Sequence, residues 1–187
     1  MTAVGRLLLW AQLAFWGCVV VCFAVTGGGL SHNHGFSVYG GAWETIVPWT
    51  VGFVAAAVLI LRAAALLEGS DRVFAWGLRL VVLFGMGILF TPDTIDQLFY
   101  DAHIVASVLL FLFQAGLGLW IVVRAHAGLL TRVYVLQIAG GVVAGLSQAQ
   151  WIGLLSLGIL VFQVAFGALI VLATSEPYLG VETAHAQ

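Results

Sequence analysis

The chain has 187 residues, of which 63% are hydrophobic, 12% aromatic and only 7% charged, with a formal net charge of -2. A water-soluble domain carries roughly a quarter charged residues, and a disordered chain is poor in aromatic and β-branched side chains; this composition, with a mean hydropathy of +1.13, excludes both. The few basic residues are scattered arginines, so no nucleic-acid partner is expected, and the class that fits is an all-α, polytopic membrane protein.

An α-helix rises about 1.5 Å per residue, so about 20 apolar residues cross the roughly 30 Å hydrocarbon core. By that measure the uncharged stretches predict six transmembrane helices, near 7–26, 46–67, 74–90, 102–123, 133–149 and 152–173, in a single domain, with a short cytoplasmic tail over 174–187. The first span reads as a retained helix, because its apolar run is longer than a signal peptide's and no Ala-x-Ala pattern precedes Gly27. Cys18 and Cys22 lie one turn apart on it and read as small apolar fillers. No charged residue separates Arg132 from Glu176, so the fifth and sixth helices divide at the polar patch from Ser147 to Gln150, near Gln148.

Arginine sets the orientation, since cationic flanks of short loops stay cytoplasmic. Arg6, Arg62, Arg72, Arg79, Arg124 and Arg132 all fall on one side of an even number of helices, which predicts a cell-membrane protein with both termini cytoplasmic. Tryptophans favour the two membrane interfaces; Trp10, Trp76 and Trp120 mark the inner belt and Trp43, Trp49 and Trp151 the outer one. The outer loops instead carry His32, His34, Glu44, Asp93, Asp96, Tyr100, Asp101 and His103. Such an acidic, imidazole-bearing face favours cations or amine-bearing partners.

Between the helices, packing and hydrogen bonds must replace the hydrophobic effect. Gly141 and Gly145 form a Gly-x-x-x-Gly pair, and Gly85, Gly87, Gly116, Gly118, Gly158 and Gly167 offer further close approaches. Gln12, Gln114, Gln137 and Gln163 lie within the spans and read as interhelical glue, each amide requiring a partner. The absence of a mid-depth Asp, Glu or Lys argues against an ion-coupled transporter.

The first outer loop, from Thr26 to Glu44, brings Ser31, His32, Asn33 and His34 beside Phe36, Tyr39 and Trp43, and is expected to fold back over the bundle. In the second outer loop Thr91-Pro92-Asp93 reads as a helix start, with Thr91 as N-cap. A helix continuing from there would place Asp93, Asp96, Tyr100 and His103 on one face, with Asp96 or Asp101 favouring the charged form of His103.

Phe90-Thr-Pro-Asp93, Asp101-Ala-His103-Ile-Val-Ala106, the stretch from Ser31 to Gly35 and Thr45-Ile-Val-Pro48 resemble motifs of six-helix integral membrane proteins of the DRAM and Frag group and a related bacterial and archaeal family. The resemblance implies a six-helix bundle with cytoplasmic ends and an extracytoplasmic His/Asp face, in a group some of whose members are linked to lipid or lipid-anchor remodelling.

Two functions follow as expectations. The first is a non-enzymatic factor that binds lipid headgroups, or a partner membrane protein, through the outer face. The alternative is a metal-dependent lipid hydrolase or transferase, with His32, His34 and His103 as metal ligands and Asp93, Asp101 or Glu44 as ligand or base. No cofactor is expected; a haem would need histidines facing each other within the bundle, whereas His126 and His185 fall on the side opposite the other three.

Overall fold

The computed structural model describes residues 1–26, 35–91 and 96–175, and contains no strand among them. Its elements are α1 (Ala3–Thr26), the short α2 (Val38–Gly41), α3 (Ile46–Leu67), α4 (Arg72–Phe90), α5 (Gln97–Ala125), α6 (Gly128–Gln148) and α7 (Leu155–Ser175). All except α2 are long and apolar enough to cross a membrane. Hydrocarbon cannot hydrogen-bond a backbone, so a chain of this composition must satisfy its N–H and C=O groups within each segment, and the helix does so.

The predicted spans correspond one to one with these six helices, and the differences at their ends have local causes. α4 begins at Arg72 because Asp71 caps it, its Oδ1 accepting the Phe74 N–H at 3.1 Å. Thr91 closes α4 rather than opening α5, donating its hydroxyl to the Gly87 carbonyl at 2.7 Å. Asp96, in extended conformation, is the N-cap of α5 and accepts the Phe99 N–H at 3.0 Å. The helix start read at Thr91 is corrected accordingly, while residues 92–95 lie outside the described structure. The expected division near Gln148 is present: Gln150 adopts a left-handed φ of 63°. The Ser147 hydroxyl accepts the Leu154 N–H at 3.1 Å, so α7 starts at Leu155 rather than at 152.

Each long helix packs on the next in the chain, and α7 returns to α1, closing the bundle. Thr2 Oγ1 donates to the Thr174 carbonyl at 2.7 Å, joining the first helix to the last at the arginine-bearing end. At that end the buried Asp71 also accepts from Arg124 at 3.0 Å, linking α4 to α5, and Arg79 pairs with Glu68 at 2.8 Å. A core running through Leu8, Ile60, Phe74, Leu78, Ile121 and Leu169 fills the same half. At the opposite end Phe36 and Tyr39 fold back onto Val19, Cys22 and Trp49. Trp49, only 4% exposed, is thus part of an aromatic cluster with Phe15, Tyr39 and Phe53 rather than of a lipid-facing belt.

The tightest seam joins α6 to α7, one residue out of register with the expected glycine pair. A side chain at Gly158 would collide with the Ala144 backbone, and one at Gly140 would come within 2.5 Å of the Phe162 nitrogen. Gly141 meets only the Phe162 ring, and Gly145 faces open space. The small-residue pair is therefore Gly140 and Ala144. Gln137, fully buried on the same helix, has no hydrogen-bond partner for either amide atom and abuts Gly118 of α5. An unsatisfied buried group costs about 1–3 kcal/mol, which an apolar replacement of similar shape removes. Gly158→Leu is therefore expected to destabilise the protein by about 1–3 kcal/mol, and Gln137→Leu to stabilise it, as read by unfolding midpoints in detergent.

Candidate functional site

The half of the bundle opposite the arginines is not filled. A cavity of about 580 Å³ runs between α1, α3, α4, α5, α6 and α7, beneath the Gly35–Ser37 turn. Its walls are mostly apolar, built from residues such as Phe15, Phe53, Ile104, Val108, Ile159 and Phe166. Polar side chains gather at its two ends. Tyr100 and His103 of α5, Ser37 and Gln148 lie at the loop end, and Gln12, Gln114 and Gln163 form the floor halfway along the helices.

The floor is built by amides that satisfy one another. Gln114 of α5 and Gln163 of α7 exchange two hydrogen bonds, at 2.9 and 3.0 Å. In hydrocarbon an unpaired amide has no water to turn to, so the reciprocal pair both anchors α5 to α7 and places polar atoms at the base of the cavity. Gln12 reaches the same level from α1 by lying against Gly167, where a side chain would collide with its amide oxygen.

His103 forms the loop end and is 6% exposed. Its Nδ1 lies 2.7 Å from the Thr91 carbonyl. A carbonyl can only accept, so Nδ1 carries the proton, and in the tautomer protonated there alone Nε2 is an acceptor. The bond also satisfies one of the carbonyls left unpaired where α4 ends, fixing the position of His103. Tyr100, one turn earlier, is 41% exposed and shares the cavity.

The structure brings Tyr100 and His103 of the expected set together and disperses the others. Asp96 is exposed and engaged in capping α5; Asp101 is exposed and accepts from Gln97 at 2.8 Å; Glu44 is exposed on the preceding loop. His103 forms no ion pair with Asp96 or Asp101, so the carboxylate neighbour expected for it is replaced by a backbone carbonyl. His32, His34 and Asp93 lie outside the described residues. Among the described residues no three His, Cys, Asp or Glu side chains are placed to hold a metal ion.

Ser37, in the loop predicted to fold back, lines the cavity with no signal in its spacing, while Tyr39 belongs to the aromatic cluster on Trp49. Thr45 Oγ1 donates to the Tyr39 carbonyl at 2.8 Å, closing this turn over the bundle, and burial pushes the Tyr39 phenol above its ordinary pKa. Ser107 and Gln148 also line the cavity. The only signal for them was a polar residue interrupting an apolar stretch, which does not say which helix face is open.

If the amide pair forms the floor, either Gln114→Leu or Gln163→Leu alone leaves its partner unpaired and lowers stability by about 1–2 kcal/mol. The double substitution should cost less than the sum of the two, and a double-mutant cycle in detergent reads the difference. No family model matches the chain, and neither a curated protein nor a solved structure matches it.

Proposed function

We propose that this multi-pass membrane protein is a non-enzymatic lipid-binding factor that receives a membrane lipid in the cavity between its helices, with the headgroup at the Tyr100 and His103 end and an acyl chain reaching toward the glutamine floor. The observation that carries this reading is the polarity of the cavity: a long apolar wall, broken only by Ser107, with the other hydrogen-bonding side chains at its ends. A water-soluble ligand would leave its polar groups unpaired along such a wall, whereas an amphiphile matches it. The volume of about 580 Å³ lies within the roughly 300–1,000 Å³ range of ligand pockets.

His103 Nε2 offers an acceptor and the Tyr100 hydroxyl a donor to a headgroup. Glu44, Asp96 and Asp101 are exposed at this end, with no arginine among the described residues there. The resulting field favours an amine-bearing, zwitterionic headgroup over an anionic one. Kinship with the DRAM and Frag group belongs to the same proposal and rests on the short motifs around Phe90 and His103.

The sidedness is likewise inferred. The arginines share one end of the bundle, and the preference of cationic loops for the cytoplasm puts both termini inside and His103 outside the cell membrane. Alkaline phosphatase is expected to be active when fused at Trp43 and inactive when fused at Ala127; the reverse pattern would invert the orientation.

Gly145 provides a direct test of the cavity, because it lines the space and no atom lies within 4 Å of the position its side chain would take. Gly145→Phe is expected to fold with an unchanged unfolding midpoint and to retain about tenfold less phosphatidylethanolamine in native mass spectrometry, a loss of about 1.4 kcal/mol. Equal retention by wild type and variant would overturn the reading.

A further inference from the structure

A second opening lies on the other half of the molecule, between α4 and α5, and shares only Leu112 with the lining of the central cavity. It is a groove of about 660 Å³. Its floor is the contact of the two helices at Gly77, where a side chain would come within 2.7 Å of Leu117 Cδ1. Its mouth is widened at Gly116, which has no atom within 4 Å of the position of a side chain. Leu80, Leu112 and Phe113 make the walls apolar, and Trp76 and Trp120 flank the end nearest Arg72.

The charges at this end are unevenly satisfied. Arg79 stacks over the Trp76 ring at 5.0 Å and pairs with Glu68, while Arg124 stacks over Trp120 at 5.1 Å and pairs with Asp71. Glu68 and Asp71 are the carboxylates of the α3–α4 turn, and both are thereby used. Arg72 lines the groove, is exposed, and forms no ion pair among the described residues. A guanidinium that feels the Glu68 charge but pairs with no carboxylate among the described residues thus stands at the mouth of an apolar furrow, beside two indoles, at the end of a membrane-spanning helix.

We propose that this groove is a binding site for an anionic glycerophospholipid, whose phosphate pairs with Arg72 and one of whose acyl chains lies over Gly116. The guanidinium fork matches phosphate geometry. Basic pockets between transmembrane helices select acidic lipids through the same combination of a cation at headgroup depth and an apolar slot beneath it. The indole N–H groups of Trp76 and Trp120 supply further donors at the interface. The two sites therefore differ in headgroup preference: the acidic end disfavours an anion and the arginine end attracts one.

The test uses the intact protein in nanodiscs holding equal amounts of phosphatidylglycerol and phosphatidylcholine with identical chains, followed by native mass spectrometry of the retained lipid. Wild type is expected to favour phosphatidylglycerol about fivefold, the effect of one cationic residue near a membrane surface. Arg72→Gln should reduce the preference to parity, and Gly116→Leu should remove the excess of retained phosphatidylglycerol by filling the slot. Gly145→Phe, which alters only the central cavity, should leave the preference intact, so failure at one site is distinguishable from failure at the other. Should Gly116→Leu not fold, quenching of wild-type tryptophan fluorescence by chain-brominated lipids decides. Stronger quenching by phosphatidylglycerol than by phosphatidylcholine, lost in the Trp76→Phe/Trp120→Phe variant, supports the site. Equal retention of the two lipids by wild type, or an undiminished preference in Arg72→Gln, would overturn it.

Discussion

Inside a bilayer no water is available to satisfy a polar group or to drive apolar surfaces together. A chain with this composition must therefore close every backbone hydrogen bond within its own helices, and its helices must adhere by close approach and by hydrogen bonds between side chains. The α6–α7 seam shows the first means: Gly140, Ala144 and Gly158 bring two backbones into direct contact because none of them carries a side chain larger than a methyl group. The Gln114–Gln163 exchange shows the second. Gln137, with neither amide atom paired, marks the one place among the described residues where a fully buried side chain fails the same requirement.

The two ends of the bundle solve different problems. At the arginine end, polar groups are consumed in structure: Asp71 caps α4 and holds Arg124, Glu68 holds Arg79, and Thr2 ties the first helix to the last. At the opposite end, aromatic residues of the loop cover the bundle, and the Nδ1–H of His103 completes the unpaired end of α4. The buried core lies toward the arginines, and the central cavity opens toward His103. The α6–α7 seam closes one wall of that room, and the polar side chains at its ends give an occupant its direction.

Glycine explains both the contacts and the openings. Where a glycine faces a neighbouring backbone, as at Gly158, its missing side chain permits contact; where it faces nothing, as at Gly145 and Gly116, the same absence leaves a hollow. Composition cannot separate these cases, because the difference lies in the rotation of each helix about its axis. A shift of one residue turns a helix by about 100°, which is why the small-residue pair falls at Gly140 and Ala144 rather than at Gly141 and Gly145.

The sequence alone determined the all-helical class, the six membrane-crossing segments and the division near Gln148, since hydrocarbon thickness and the length of an apolar run are matched one residue at a time. Its polar residues within spans were legible as groups needing partners. Which partners they found was decided by the tertiary structure: Gln114 and Gln163 lie far apart in the chain, and His103 turned to the Thr91 carbonyl rather than to Asp96 or Asp101. The inward turn of Trp49, the ion pair of Arg124 with the buried Asp71, and the cavity itself belong to the same class of outcome. Each depends on which faces of separate helices meet, and a linear pattern specifies the period of a helix without specifying the neighbour it faces.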